Sequence, residues 1–195
     1  SSEMILNKLP NSIIIKGNGN LWWAGALHQG YNWIKNNAKD GNILIINDDT
    51  LIDITFLKTG IDLLSECDKT LVLSKSYDKN NNILDSGVNV DWTKMTFNQA
   101  KNEEEVNCLS TRGLFLKVED FLDIGGFYPT LLPHYLSDYE FTIRAKNKGY
   151  KLIVPSEFKL QVDTETTGYH IIKSKSKLEY LKKYFSKKNP TNPVY

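Results

Sequence analysis

Apolar and polar residues follow one another along the first 75 residues in blocks that predict an α/β arrangement. Apolar, β-branched runs at residues 12–16, 42–46 and 70–74 have the composition of buried strands. Between them, apolar residues recur at helical spacing over residues 24–37 and 54–64. A strand–helix–strand–helix–strand order is typical of parallel strands joined by right-handed crossovers. We therefore expect ligand-binding residues beyond the carboxyl ends of these strands.

Each of the two predicted helices carries one apolar face. In the first, the face is formed by Leu27, Tyr31, Ile34 and Ala38. In the second, it is formed by Ile54, Leu57, Ile61 and Leu64, with Asp53 as the candidate cap. Shorter elements follow along the chain: strands over 87–92, 106–110, 114–116 and 151–154, a polar loop over 98–107, a helix over 118–124 ended by Gly125-Gly126, and a helix over 138–148 followed by Gly149.

Composition narrows the class of protein. The chain has 195 residues, a formal net charge of +1 and 41% hydrophobic residues, which suits one folded domain and no membrane span. Cys67 and Cys108 have no paired spacing, which favours a reducing compartment such as the cytoplasm. Arg112 and Arg144 are the only arginines among 24 basic residues, which argues against a nucleic-acid partner.

The small net charge is the sum of two unequal parts. Residues 171–195 contain seven Lys and one Glu, so they carry +6 and leave −5 for residues 1–170. The basic segment has helical spacing at Leu178, Leu181 and Phe185, and it has two interpretations. It is a solvated terminus, or it attaches the protein to an anionic membrane surface, where each basic residue contributes up to about 1 kcal/mol.

The strongest chemical signal is Asn47-Asp48-Asp49, directly after the apolar strand 42–46. Adjacent carboxylates repel each other unless a cation neutralises them, and Mg²⁺ or Mn²⁺ prefers such oxygen ligands together with substrate phosphates. The alternative is an ordinary polar loop that precedes a helix.

Asp138 is the second candidate, at the start of the helix predicted over 138–148. A carboxylate in this position either caps the helix or faces a cleft as a general base. Trp22, Trp23 and His28 follow a Gly/Asn turn, where they are either packing residues or an aromatic wall for a ligand, and His134 lies just upstream of Asp138. The histidines lack the spacing of a zinc site.

Taken in order, these segments resemble the family 2 glycosyltransferases of the GT-A (nucleotide-diphospho-sugar transferase) fold, in their bacterial rhamnosyltransferase-like branch. The resemblance covers residues 11–168. It is carried by Gly17-Asn18-Gly19-Asn20 before Trp22-Trp23-Ala24-Gly25, by Gly30, by Asn47-Asp48-Asp49-Thr50, by Gly125-Gly126-Phe127, and by Asp138-Tyr139-Glu140 with Arg144 and Gly149. It implies a mixed, mostly parallel central sheet flanked by helices.

The resemblance implies a metal-dependent, inverting transfer of a sugar from a nucleotide-sugar donor to a glycan or lipid-linked acceptor, in bacterial cell-surface polysaccharide synthesis. Asp138 would be the catalytic base, and Asp49 would hold Mg²⁺ or Mn²⁺. The donor would be bound by Trp23, His28, Asn47 and Asp48. The acceptor would be bound by Gly125, Gly126, His134 and Arg112. The implied domains are a catalytic unit over 1–170 and the basic tail over 171–195.

Three departures from the family pattern qualify this interpretation. Ser137 stands where the family usually has Glu, no His follows the last strand, and Asp163 is the candidate replacement for that His. The first nucleotide-binding strand is also expected to be absent from residues 1–195. These departures motivate an alternative, a non-catalytic module that binds sugar nucleotides or glycans. A nucleotidyltransferase is less favoured because the chain has no Gly-rich phosphate loop.

Overall fold

The computed structural model describes residues 2–164, 176–178 and 181. The helices in these ranges are α1 (Ser2–Lys8), α2 (Trp22–Asn37), α3 (Phe56–Ser65), α4 (Val118–Ile124) and α5 (Ser137–Asn147). The strands are β1 (Asn42–Ile45), β2 (Thr50–Leu51), β3 (Thr70–Leu73), β4 (Lys75–Tyr77), β5 (Ile83–Asp85), β6 (Val88–Asp91), β7 (Thr96–Gln99), β8 (Leu114–Lys117), β9 (Lys151–Ile153) and β10 (Lys159–Val162). None of these helices is long and apolar enough to cross a membrane.

The strands form two four-stranded sheets, in the orders β1-β8-β3-β9 and β2-β10-β4-β5, and a separate β6-β7 hairpin. Parallel pairing joins β3 to β9 and β4 to β10, whereas the other pairs of described strands are antiparallel. The α/β class is therefore confirmed and the sheets are mixed, as predicted: in the sheet β1-β8-β3-β9, three of the four strands run in the same direction, although most of the described pairs are antiparallel. Strand β8 lies between β1 and β3 and is antiparallel to both, so β1 and β3 still run in the same direction.

Most of the predicted elements are present. The exceptions are informative. Residues 12–16 form no strand, because no described strand pairs with them and Ile13 and Ile15 are exposed. The predicted strand 106–110 contributes only a single β-bridge, between Cys108 and Val88. The predicted polar loop 98–107 contains the end of β7 and a 3₁₀ turn at Glu103–Glu105. The helix predicted at Leu178, Leu181 and Phe185 lies almost entirely outside the described residues.

The buried faces of α2 and α3 can be compared with the apolar faces predicted for them. In α2 the predicted face is confirmed, since Leu27, Tyr31 and Ile34 pack against the largest core cluster. In α3 the prediction is right for Leu64, which is fully buried, and wrong for Ile54, Leu57 and Ile61, which are 98%, 50% and 42% exposed. The other buried positions of the helix are Phe56 and Gly60. Both sets repeat at helical spacing, and the aromatic cluster of Phe56 with Phe115 and Phe158 determines which set is buried.

Replacing Gly60 with Ala is expected to destabilise the protein by about 1–3 kcal/mol, because α3 packs closely on β8. A Cβ at this position would lie 2.5 Å from Phe115 Cζ, and Phe115 is itself buried. Urea denaturation measures the change. Gly30→Ala in α2 is the matched control: a Cβ there meets nothing within 4 Å, so it should stabilise the helix by about 0.5–1 kcal/mol. Equal stability of the two variants would contradict the close packing.

Candidate functional site

A cleft of about 610 Å³ opens at the ends of several elements. Its walls are formed by the start of α2, the segment after β1, the segment before β8, the start of α5, and the region from β5 to β7. Six side chains on these walls could bind a ligand or take part in a reaction: Trp23, Asn47, Asp85, Arg112, His134 and Asp138. Five of these six were predicted as site residues from the sequence, and the cleft brings them together from segments far apart in the chain.

The pairing of β1 with β8 explains why Asn47 and Arg112 are neighbours in the cleft. The two strands are antiparallel, so the end of β1 lies beside the start of β8, with Ile45 opposite Leu114. Gly113 N donates a hydrogen bond to Ile45 O at 2.9 Å. Gly113 adopts a φ of +82°, which turns the chain into β8 and which a residue with a side chain rarely adopts. Arg112 Nε is buried and has no hydrogen-bond partner among the described residues.

A second set of contacts joins the start of α2 to the start of α5. Ala24 N donates to Pro133 O at 3.0 Å, and the Trp22 and His134 rings meet edge to face at 5.8 Å. Leu136 then takes a left-handed conformation, with a φ of 62°, immediately before α5 begins. Such a conformation costs a residue with a side chain about 1–2 kcal/mol and is often found at functional sites. It sets the first turn of α5, which carries Asp138 at the cleft.

The pKa of the Asp138 carboxyl is raised to about 6, chiefly because burial removes water from the charged form. The hydrogen bond from Tyr139 N to Asp138 Oδ1, 3.0 Å long, acts in the opposite direction. The negative charge of Asp85 raises this pKa further, and the positive charge of Arg112 lowers it. A carboxyl that titrates near pH 6 is still ionised at neutral pH and is basic enough to accept a proton from a hydroxyl during a reaction.

Asp85 is a cleft residue that the sequence analysis missed. It ends β5, and its Oδ1 accepts a hydrogen bond from Gly87 N at 2.9 Å. The segment around it is irregular in sequence, so it gave no periodic pattern to interpret. One signal was present: Asp85 follows two apolar residues and precedes Ser86-Gly87, which is again a carboxylate at the end of a short strand.

Four of the predicted ligand-binding residues do not line this cleft. His28 faces another cavity, of about 500 Å³, and its ring contacts the backbone at Gly126, where a Cβ would lie 2.5 Å from Nδ1. The Gly125-Gly126 turn is held by Arg144, which donates to the carbonyls of both residues. These glycines therefore allow close packing around their backbone. Asp48 is exposed at the tip of the turn after β1.

Asp49, the predicted metal ligand, lies beside the cleft rather than in its wall. Asp49 Oδ1 and Asn47 Oδ1 are buried and have no hydrogen-bond partner among the described residues. Asp163 lies opposite Asp49, because Asp163 N donates to Asp49 O at 2.8 Å where β10 pairs with β2. The described residues contain no group of three or more His, Cys, Asp or Glu side chains suited to a metal. The Asp49 carboxylate and the Asn47 amide oxygen are nevertheless ligands of the kind that Mg²⁺ or Mn²⁺ binds, and these ions take few protein ligands when phosphates supply the others.

No protein-family model matches the sequence, and no curated protein matches it at a significant level.

Proposed function

We propose that this protein is an inverting glycosyltransferase of the GT-A type that transfers a sugar from a nucleotide-sugar donor to a hydroxyl group. The observation that carries the proposal is the presence of Asp138, with its pKa raised to about 6, in one cleft with Asn47, Arg112 and Trp23. Trp23, Asn47 and Asp138 belong to three separate motifs of the resemblance, and Arg112 lies just before β8. Their positions in the fold agree with a single reaction site.

Asp138 would accept the proton of the acceptor hydroxyl as the hydroxyl oxygen attacks the anomeric carbon of the donor. The bond from that carbon to the diphosphate breaks on the opposite face, so the configuration is inverted and a nucleoside diphosphate leaves. Arg112 would place positive charge beside the leaving group, and its buried Nε, which has no hydrogen-bond partner in the described part of the chain, would donate to a phosphate oxygen. Trp23 would support a ring of the donor.

Asp49, Asn47 and Asp163 are the residues that would hold Mg²⁺ or Mn²⁺. When bound, the ion would neutralise charge that develops on the diphosphate. Asp48 is exposed, and in this scheme it would contact the outer part of the donor. The cellular setting we propose is bacterial surface-polysaccharide synthesis at the cytoplasmic side of the membrane, with the basic residues 171–195 as the candidate membrane contact.

Calorimetry with UDP-, GDP- and dTDP-sugars, with and without Mn²⁺, tests the proposal. We expect at least one donor to bind more tightly with Mn²⁺ and to be hydrolysed slowly to the nucleoside diphosphate when no acceptor is present. Asp49→Asn should remove most of the effect of Mn²⁺ on affinity. Glu119→Gln, at an exposed position of α4, is the matched control and should leave the effect of Mn²⁺ on affinity unchanged. If no sugar nucleotide binds in either condition, the proposal is wrong, and binding without hydrolysis or transfer would favour a binding module.

A further inference from the structure

The cleft continues into a second, apolar groove. This groove has a volume of about 290 Å³ and shares Phe97, Leu136 and Tyr139 with the cleft. We call it the aromatic groove, and define it by Trp92, Phe97, Leu132, Leu136, Tyr139 and Ile143. Because three residues line both cavities, a ligand that occupies the cleft at Asp138 can extend into the aromatic groove without leaving the protein surface.

Three aromatic side chains form a row along this groove. The Phe97 and Tyr139 rings are stacked, with centroids 5.4 Å apart, and the Trp92 ring meets Phe97 edge to face at 6.5 Å. Trp92 is 57% exposed and Phe97 is 40% exposed. Large aromatic side chains that remain this exposed next to one another commonly mark a binding surface. The row is also rigid, because aromatic side chains have few rotatable bonds.

The hairpin that carries Trp92 and Phe97 is fixed to the rest of the fold. Val88 N donates to Cys108 O at 2.9 Å, and the Asn107 side chain bonds the backbone of Val90 in both directions. Cys108 in turn lies against Thr142 of α5, with Sγ 3.6 Å from the Thr142 hydroxyl oxygen. Thr142 and Asp138 belong to the same helix, so these contacts fix the position of the groove relative to Asp138.

We propose that the aromatic groove binds sugar units of an oligosaccharide acceptor that lie beyond the unit whose hydroxyl reaches Asp138. This inference rests on the proposed function and names its acceptor class. A pyranose ring has an apolar face of C–H groups, which stacks on aromatic rings, and a rim of hydroxyls, which need polar partners. The aromatic groove supplies the rings. The adjoining cleft wall supplies the polar groups, on Asp85, Asn98 and Gln99.

The same polar wall favours a glycan over a lipid chain. The side chains of Asp85, Asn98 and Gln99 each make a hydrogen bond within the protein, to Gly87 N, Thr96 Oγ1 and Ser86 Oγ. A lipid chain that ran from Asp138 to Trp92 would cover their remaining polar atoms without pairing them, which is costly. An oligosaccharide covers them with hydroxyls. At the far end of the groove, Asn147 and the paired Glu140 and Arg144 again offer polar edges beside apolar surface.

Fluorine NMR of protein labelled with 5-fluorotryptophan tests the proposal directly, since the chain has only four tryptophans: Trp22, Trp23, Trp33 and Trp92. The probes are tri- and tetrasaccharides of glucose, galactose, N-acetylglucosamine and rhamnose, with the matching methyl monosaccharides. We expect at least one oligosaccharide to shift the Trp92 signal and to bind at least about tenfold more tightly than its monosaccharide. Trp33, which lies outside both cavities, should not respond.

Phe97→Ala should weaken binding of that oligosaccharide about tenfold, whereas Met95→Ala, at an exposed position in the turn of the same hairpin, should not change it. If no oligosaccharide moves the Trp92 signal at millimolar concentration, the inference is overturned. It is also overturned if dodecyl phosphate moves that signal and the sugars do not, which would indicate a lipid. Donor calorimetry is independent of this readout. A Trp92 response without donor binding would contradict the proposed transfer reaction but support glycan binding in the aromatic groove.

Discussion

The Asp138→Asn variant should lose the proposed transfer activity by about 100- to 10,000-fold and should bind the donor with nearly unchanged affinity. Asparagine has the same shape as aspartate but cannot accept the acceptor's proton. Initial rates of nucleoside diphosphate release measure the loss in activity, and calorimetry measures donor affinity. Glu119→Gln, which neutralises an exposed carboxylate on α4, should keep full activity. Full turnover by Asp138→Asn would show that Asp138 is not the catalytic base.

The pKa of Asp138 also predicts how activity varies with pH. The carboxyl must be ionised to act as a base, and its pKa is about 6. The ratio kcat/KM should therefore be constant well above pH 6 and fall tenfold for each pH unit below it.

The contribution of Asp138 to the free energy of unfolding should fall as pH rises, whereas activity should increase. The folded pKa of Asp138, about 6, lies above the ordinary value of 3.8, so the folded state binds more protons between these values. The contribution of this group to stability is present in full below pH 3.8 and is lost as pH rises through 6. At pH 7.5, Asp138→Asn should thus be more stable than the wild type by roughly 1–3 kcal/mol, and the difference should disappear near pH 4.

Replacing Arg144 with Ala should destabilise the fold by about 2–4 kcal/mol. Arg144 forms two hydrogen bonds with Glu140, at 2.7 and 2.9 Å. It also donates to the carbonyls of Ile124 and Gly126, at 2.5 and 2.8 Å, and its guanidinium lies 4.8 Å from the Tyr128 ring centroid. The Ala variant leaves these acceptors without a donor. Chemical denaturation measures the loss.

Two further variants separate this network from an ordinary helix ion pair. Arg144→Lys keeps the charge but lacks the planar fork, so it should recover less than half of the loss. Lys58→Ala removes an ion pair of the same i,i+4 spacing on α3, but that pair is exposed and should contribute less than about 0.5 kcal/mol. If Arg144→Ala costs no more than Lys58→Ala, the proposed role of Arg144 in holding the turn is incorrect.

Local sequence patterns predicted the elements well because each pattern reports on a few adjacent residues. The helical spacing of Leu27, Tyr31 and Ile34 identified both α2 and its buried face. Glycine marked chain reversals reliably: Gly125 and Gly149 both have positive φ just after a helix. The resemblance also pointed to five residues that line the cleft, Trp23, Asn47, Arg112, His134 and Asp138, which lie at or just beyond the starts and ends of helices and strands.

The arrangement of the strands could not be read from such patterns. Strand β8 pairs with β1 and β3, which precede it by more than forty residues, and no local alternation records this pairing. The buried face of α3 was ambiguous because Phe56, Gly60 and Leu64 share the spacing of Leu57 and Ile61. Asp85 was missed for a related reason: its position in the cleft depends on the β4–β5 pairing, which includes an irregular register.

The β6–β7 hairpin gives the cleft and the adjoining aromatic groove walls of two separate origins. Asn47, Arg112 and Asp138 belong to segments anchored in the main core, whereas Trp92 and Phe97 are carried by a two-stranded unit with exposed outer residues. Changes at the exposed positions of the hairpin can therefore accumulate with little cost to the core, whereas Val88 and Val90 are buried against Cys108. We expect homologous proteins to differ most in this hairpin, and an exchange of residues 88–99 between them to transfer ligand preference as a module.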